Sequence, residues 1–347
     1  MPIAIEPPCV QSKADGFIRS ANTHLCLGGK ELSVLGANSY GILGGYLGIG
    51  YINNQTEASP ARLIDASNNG LQVIRFWLDM ANSDYWFQRA YSKYLEEPDH
   101  SSYFSALDKL VSDAKANRVN LIPVFGSAYD QWTQAGNGDS FWQIGSKTNV
   151  LFKEWVTSIV RRYANETQIA WWEASNEPNY PPTRVKVDTY TTWAADIYGL
   201  IKSIDPNHLV SGGINNTGDL DYGKFGKFNE IFDIATIHIY VKDIYRLEAA
   251  KRVFDKDKAI FDFVQSYSTY AKSVLQKPLV FEEFNGDNLT NAGWFVEKFL
   301  SYALSHGNGA LIWSWEEGDP KMTRYVSPSV APLVVNVLRA WSTRLKN

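Results

Sequence analysis

The sequence predicts an α/β fold, a single (β/α)8 TIM barrel, on three observations. Apolar runs of strand length alternate with amphipathic helical stretches from residue 34 to the end, and there are eight such runs. Runs such as Leu121-Ile122-Pro123-Val124-Phe125 are apolar without alternation, as parallel strands covered on both faces are. Eight repeated β-α units close most simply into a barrel.

In chain order, residues 16–33 do not fit the repeat. Phe17-Ile18-Arg19 and His24-Leu25-Cys26-Leu27 flank a polar stretch and run into Gly28-Gly29, which reads as a β-hairpin capping the barrel's N-terminal end. The strands read 34–40, 71–77, 119–125, 168–175, 208–213, 233–240, 278–284 and 310–315. Helical stretches read 60–69, 103–117, 148–164, 185–204, 260–275, 291–305 and 331–344. Residues 126–146 and 214–230, rich in Gly, Asn, Asp and aromatics, read as long loops on the side of a barrel that builds its site. No linker, low-complexity tract or solenoid repeat interrupts the pattern. Residues 1–347 therefore read as one domain, with the hairpin at 16–33 and the barrel at 34–345.

Composition narrows the function. The 347 residues carry 33 Lys+Arg against 37 Asp+Glu, a formal charge of −4, and no basic stretch dominates, which disfavours nucleic-acid binding. The longest apolar candidates, such as 310–315, fall far short of the roughly 20 residues that cross a bilayer, so no membrane span is expected. Aromatic content is high, with 12 Trp, 19 Tyr and 17 Phe. Flat rings with a polar edge suit sugar faces and clefts, although most serve the core of a large fold.

Two cysteines, Cys9 and Cys26, form one bridge or remain two thiols; their spacing permits both. The opening Met-Pro-Ile-Ala-Ile-Glu-Pro-Pro has neither a basic n-region nor a long apolar h-region, so no signal peptide is visible. Sequons begin at Asn54, Asn165, Asn215 and Asn288 and would accept glycans in a secreted chain. The compartment is left open between secretion after removal of a leader and the cytoplasm.

Catalytic groups of a barrel lie at the C-terminal ends of its strands. Those ends are polar here. Arg75 and Trp77 end the second strand, Asn176-Glu177-Pro178 follows the fourth, His238-Ile239-Tyr240 ends the sixth, Glu282-Glu283-Phe284 the seventh and Trp313-Ser314-Trp315 the eighth. One carboxylate after strand 4 and one ending strand 7 would face each other across the mouth. That pair suits glycoside hydrolysis, where one carboxylic acid protonates the leaving oxygen and a second carboxylate attacks or activates water. Alternation along the strand sends Glu282 to the side opposite Glu283, a structural position. Glu173 shares parity with Glu177 and reads as an interior partner of an arginine.

Five segments, in order, carry a resemblance over nearly the whole chain. They are Phe17-Ile18-Arg19 through Leu35-Gly36-Ala37-Asn38-Ser39-Tyr40; Trp172-Glu173-Ala174-Ser175-Asn176-Glu177-Pro178; Ile204-Asp205-Pro206-Asn207-His208-Leu209-Val210; Ala235-Thr236-Ile237-His238-Ile239-Tyr240; and Lys277-Pro278-Leu279-Val280-Phe281-Glu282-Glu283-Phe284. Together they resemble the retaining glycoside hydrolases of the (β/α)8 superfamily that contains family 5, and most of all its endo-β-1,4-mannanases. The resemblance implies Glu177 as general acid/base and Glu283 as nucleophile. It implies that Asn176 binds the sugar 2-hydroxyl, Arg75 and Tyr240 hold Glu283 ionised and oriented, His238 supports the cleft and Trp313 is a stacking platform. Trp77 and Tyr40 join this substrate-binding set, reading equally as core and as cleft. Beside a guanidinium and a phenol, Glu283 is expected to keep a low pKa, whereas Glu177 must carry a proton when the bond breaks.

The sequence departs from the family pattern in two places. After strand 3, Gly126-Ser127-Ala128-Tyr129 has neither the His of the cellulases nor the Asn-Asn-Trp of the mannanases, and Asn285 stands where the mannanases have Gly. Mannan or glucomannan is the first substrate reading; β-1,4-glucan, exo-acting β-mannosidase or β-glycosidase action, and a non-catalytic polysaccharide-binding barrel are the alternatives. No His-x-x-x-His, Cys-x-x-Cys or Ca²⁺-loop pattern and no Gly-x-Ser-x-Gly elbow occurs, so neither cofactor nor metal is expected. The expected partner is a β-linked oligo- or polysaccharide, and the expected state a monomer.

Overall fold

Three short antiparallel strands come first: β1 (Arg19–Ala21), β2 (His24–Leu27) and β3 (Lys30–Glu31). The structure is a computed structural model that describes residues 9, 15–48, 58–79, 94, 97–127, 129–179, 185–215, 222–248, 255–286, 289–315 and 326–346. The expected hairpin thus has a third strand. Ile18 and Leu25 pack with Val34, Val73, Ile234 and Val280 in an apolar cluster where barrel strands begin, so this small sheet closes the barrel floor. Cys9 and Cys26 form a disulfide with 5.6 Å between their Cα atoms, which decides between the two readings of the cysteines.

Eight parallel strands follow: β4 (Leu35–Asn38), β5 (Val73–Trp77), β6 (Asn120–Gly126), β7 (Trp171–Ser175), β8 (Leu209–Ser211), β9 (Ala235–Tyr240), β10 (Leu279–Asn285) and β11 (Gly309–Ile312). Each coincides with one of the expected runs. Their order, β8-β7-β6-β5-β4-β11-β10-β9, wraps the sheet into a near-closed barrel. Among the described residues, the seam between β8 and β9 is joined by one parallel bridge, Asn215 to His238, and by His238 N–H donating to the Ile214 carbonyl at 2.7 Å. Between β4 and β5, a Cβ on Gly36 would lie 2.4 Å from the Val73 carbonyl oxygen, so only glycine lets the two strands approach this closely.

Helices cover the outside, and local chemistry sets their ends. Ser146 caps helix Lys147–Tyr163 by accepting from the Asn149 N–H, and its Phe152, Trp155, Val156, Ile159, Val160 and Tyr163 recur at helical spacing on the buried face. The helix expected from residue 260 begins at Lys256, because Asp255 accepts from the Asp257 and Lys258 N–H groups. It ends in a π turn, Ala271–Leu275. No described helix is long and apolar enough to cross a membrane.

Inside the barrel, alternate residues of one strand serve three levels. On β5, Val73 joins the apolar floor, Arg75 a charged layer and Trp77 an aromatic cluster near the mouth. The polar interior is thus built on the strands themselves, the stiffest elements available.

Candidate active site

Arg75 is wholly buried and organises the centre. Its Nε and Nη2 donate to the two oxygens of Glu173 at 2.7 and 2.5 Å, a fork-on-fork pair. Nη1 donates at 2.8 Å to both Asn38 Oδ1 and Glu283 Oε1, and Nη2 also to Asn176 Oδ1 at 2.6 Å. One guanidinium therefore ties β4, β5, β7 and β10 together. It lies over the Trp77 ring, 4.7 Å from its centroid. Having no exposed surface, it acts on a ligand only through the groups it holds.

Glu283 receives a second donor, the Tyr240 hydroxyl, at 2.5 Å on Oε2. The expected placement of Glu282 needs correction. The pairing of β10 with β9 shifts register between Phe281 and Glu283, so strict alternation fails and both glutamates face the interior. Glu282 accepts from Ser211 and Trp171, and the Asn38 amide takes its backbone carbonyl at 2.8 Å.

Glu177 lies just beyond β7 with φ 49°, a left-handed conformation uncommon for a side-chain-bearing residue. The surroundings enforce it. Asn176 N–H donates to the Gly126 carbonyl and Glu177 N–H to the Gly213 carbonyl at 2.7 Å. A Cβ on Gly213 would lie 2.1 Å from the Ser175 carbonyl oxygen, so glycine is what permits that approach. Tyr129 fixes the intervening Asn176 carbonyl through its hydroxyl. Asn215 Nδ2 donates to Glu177 Oε1 at 2.5 Å, and His238 Nδ1 lies 3.0 Å from the same oxygen and 3.3 Å from Glu283 Oε1. One oxygen of each glutamate and a ring nitrogen of His238 all lie within 4.8 Å of one another.

The electrostatics reverse the expectation from sequence. Burial raises the Glu177 carboxyl, but the hydrogen bond and charge of His238, with Asn215, outweigh it and hold the group below the ordinary range. Burial pushes Glu283 up, and the Glu177 charge adds to this against His238, Arg75 and Tyr240. The reason is that Arg75 is divided among several acceptors while Glu283 is only 3% exposed. Burial would lower His238, yet the Glu283 charge, the hydrogen bond to Glu177 and the nearby Glu282 carboxylate carry it up to about 10. Burial likewise pushes Glu173 up to about 8 against the pull of Arg75. In the substrate-free site the imidazole, rather than Glu177, is the favoured holder of a proton.

Tyr40, Trp77 and Trp313 form one aromatic cluster. Tyr40 stacks on Trp313 with centroids 5.4 Å apart and planes 7° apart, and Trp77 meets both edge-on. Trp313 keeps partial exposure, whereas Tyr40 and Trp77 are 8% and 2% exposed and form the wall behind it. The peptide from Trp313 to Ser314 is cis, and the Asn285 amide donates to the Trp313 carbonyl. The departure at Asn285 therefore links the ends of strands 7 and 8. Glu173, His238 and Glu282, and likewise Glu177, His238 and Glu283, are close enough to share a cation. Arg75 already pairs with Glu173 and Glu283 and supplies their counter-charge. Sequence reasoning overlooked Asn38 and Asn215; the only signal for Asn215 was its place directly after strand 5.

Comparison with known proteins agrees with this picture. The family described as GH family 5 beta-mannosidase-like matches residues 102–296, more than half of the chain. Mannan endo-1,4-beta-mannosidase A of Hypocrea jecorina is 24% identical over 338 residues, spanning 87% of this chain and 71% of that protein. Mannan endo-1,4-beta-mannosidase 5 of Solanum lycopersicum is 27% identical over 359 residues, spanning 86% and 80%. In fold, the chain is similar to the glycoside hydrolase family 5 mannosidase from Rhizomucor miehei, with TM-score 0.74 and 16% identity over 96% of this chain and 99% of that one. The endo-beta-1,4-mannanase from Thermotoga petrophila gives TM-score 0.67 and 20% identity over 91% and 77%. Barrel and relatives together define a glycoside hydrolase. The chain belongs to glycoside hydrolase family 5, in its mannosidase-like group.

Proposed function

We propose that this protein is an endo-β-1,4-mannanase that cleaves mannan or glucomannan with retention, with Glu177 as acid/base and Glu283 as nucleophile. The observation that carries the reading is the opposed carboxyl pair held within 4.8 Å by one imidazole. Retaining enzymes keep their two carboxyls about 5–5.5 Å apart, whereas inverting enzymes need about 6.5–9.5 Å to admit a water. Arg75 and Tyr240, one on each oxygen, orient Glu283 toward the anomeric carbon. Asn176 spends its carbonyl on Arg75, which leaves its amide nitrogen to donate to the sugar 2-hydroxyl. Trp313 stacks on a sugar face. The relatives named mannan endo-1,4-beta-mannosidase favour mannan over glucan. The exo-β-mannosidase reading is retained because the matching family is described as beta-mannosidase-like.

The test is release of reducing sugar from linear mannan, galactomannan, glucomannan, carboxymethylcellulose, mixed-linkage glucan and xylan, with Glu283→Ala beside the wild type. Activity confined to mannans, with an early fall in viscosity and absent in the variant, is expected. Single mannose units released without loss of viscosity would establish exo action. Activity on glucans would overturn the substrate, and silence throughout would favour a binding protein.

A further inference from the structure

The proposed mechanism leaves the buried Glu282 carboxyl, beside His238, unused. Glu282 Oε1 accepts from Ser211 Oγ at 2.9 Å and from Trp171 Nε1 at 3.4 Å. Its Oε2 has no hydrogen-bond partner, and neither has His238 Nε2, 3.9 Å away. The two residues are 0% and 1% exposed, so no bulk water reaches the gap. On the opposite edge of the ring, Nδ1 stands between Glu177 and Glu283. A histidine flanked in this way has its nitrogens assigned: the Glu282 charge retains a proton on Nε2, and Nδ1 is the nitrogen that exchanges.

We propose that the His238–Glu282 pair stores the catalytic proton and that Glu177 passes it between His238 Nδ1 and the sugar. This rests on the reading of Glu177 as the acid/base. In the resting site the proton lies on Nδ1 beside the Glu177 carboxylate. A bound sugar excludes water and favours a neutral pair over a charged one, so the N–H bond at Nδ1 breaks and an O–H bond forms on Glu177. That O–H then breaks as the glycosidic oxygen takes the proton and leaves, while Glu283 bonds to the anomeric carbon. Glu177 is now a carboxylate beside a neutral imidazole. In the second half-reaction the attacking water gives its proton to Glu177, which returns it to Nδ1, and the bond to Glu283 breaks. Negative charge moves from Glu283 to Glu177 and back, and Nδ1 lies within 3.3 Å of an oxygen of each.

The charged groups that face His238 are Glu173 on β7 and Glu177 beyond it, Glu282 and Glu283 on β10, and Arg75 on β5. Of these, Glu282 faces Nε2 at 3.9 Å and its carboxylate touches neither Glu177 nor Glu283, which makes it a positioning residue open to separate test.

The experiment follows the ring resonances of the five histidines in the labelled protein, with His238→Gln to assign His238, and in parallel the pH profile of kcat/KM on β-1,4-mannotriose. In Glu282→Gln the His238 midpoint is expected to fall by about one unit or more. The alkaline limb of kcat/KM should move down by the same amount, with KM changing less than about twofold. Glu282→Asp, which keeps the charge, should restore most of both and carries the comparison should the Gln variant not fold. An unchanged midpoint, or a moved midpoint with an unmoved alkaline limb, would overturn the proposal. The ring titration needs no substrate, so a shifted midpoint in an enzyme silent on mannan sinks the mannanase reading and upholds the pair.

Discussion

The Tyr129 hydroxyl donates to the Asn176 carbonyl at 2.6 Å, which ties the start of helix Tyr129–Ala135, just after β6, to the peptide directly before Glu177. This is the segment whose sequence departs from the family pattern, and the long loop expected over 126–146 holds a helix there. Its neighbour Ser127 is anchored through N–H and hydroxyl to the buried Asp79, which also accepts from Trp132. The departing segment thus forms a brace behind Asn176.

Removing that brace should be felt at the site rather than in the fold. Tyr129→Phe keeps the ring among Phe141 and Trp142 and loses one hydrogen bond, a cost of about 1 kcal/mol. We expect kcat to fall about fivefold or more with little change in melting temperature. Unaltered kcat on mannan would show that Asn176 holds its position without the hydroxyl.

Arg75 should be irreplaceable in both respects. Arg75→Met keeps much of the volume and leaves Glu173 and Glu283 buried without their counter-charge, which typically costs about 3–5 kcal/mol. Urea unfolding should register that loss, and kcat should fall beyond what the stability change explains. A loss under about 1 kcal/mol would mean that the cluster re-protonates and dispenses with the guanidinium.

Stability should decline with rising pH above neutrality. His238 is carried from 6.5 up to about 10, so the folded chain keeps a proton that the unfolded chain releases. Its contribution is full below pH 6.5 and is lost as pH rises through about 10. Glu173, raised from 4.5 to about 8, acts in the same sense between those values, while Lys277, lowered by burial from 10.5 to about 8, opposes from pH 8 upward. The clean window is therefore pH 6.5–8. Melting temperature should fall across it, less steeply in His238→Gln, and equal slopes in the two proteins would contradict the assignment.

The disulfide should matter for stability alone. Cys9 and Cys26 are separated by 17 residues and their bridge lies in the floor sheet, at the opposite end of the strands from Glu177 and Glu283. Reduction should lower unfolding stability by about 3 kcal/mol and leave kcat unchanged. A parallel loss of activity at constant fold would show that the floor communicates with the mouth.

The architecture was legible where chemistry is periodic. All eight barrel strands follow from mostly apolar runs of strand length, broken chiefly where an inward-facing residue such as Arg75, Glu173, His238 or Glu283 serves the site. The third floor strand was hidden, since Lys30–Glu31 is two exposed residues without pattern. The inward turn of Glu282 was also hidden, because a one-residue register shift in β10 is a property of pairing with β9 rather than of the run itself. Trp77 and Tyr40 looked like Trp313 in sequence, and only packing separates the exposed ring from the two behind it. The directions of the carboxyl shifts depend on how one guanidinium is shared and where one imidazole stands, which residue spacing does not contain.

Asn215 heads the run Asn215-Asn216-Thr217, and its Nδ2 is the atom that donates to Glu177. N-linked glycosylation would modify that same nitrogen, taking away one of its two hydrogens and planting a bulky sugar tree at the catalytic mouth. The choice of production host is therefore a choice about this nitrogen: bacterial cytoplasm leaves it bare, whereas a eukaryotic secretory line that recognises the sequon would yield a mixture whose specific activity tracks the fraction left unglycosylated.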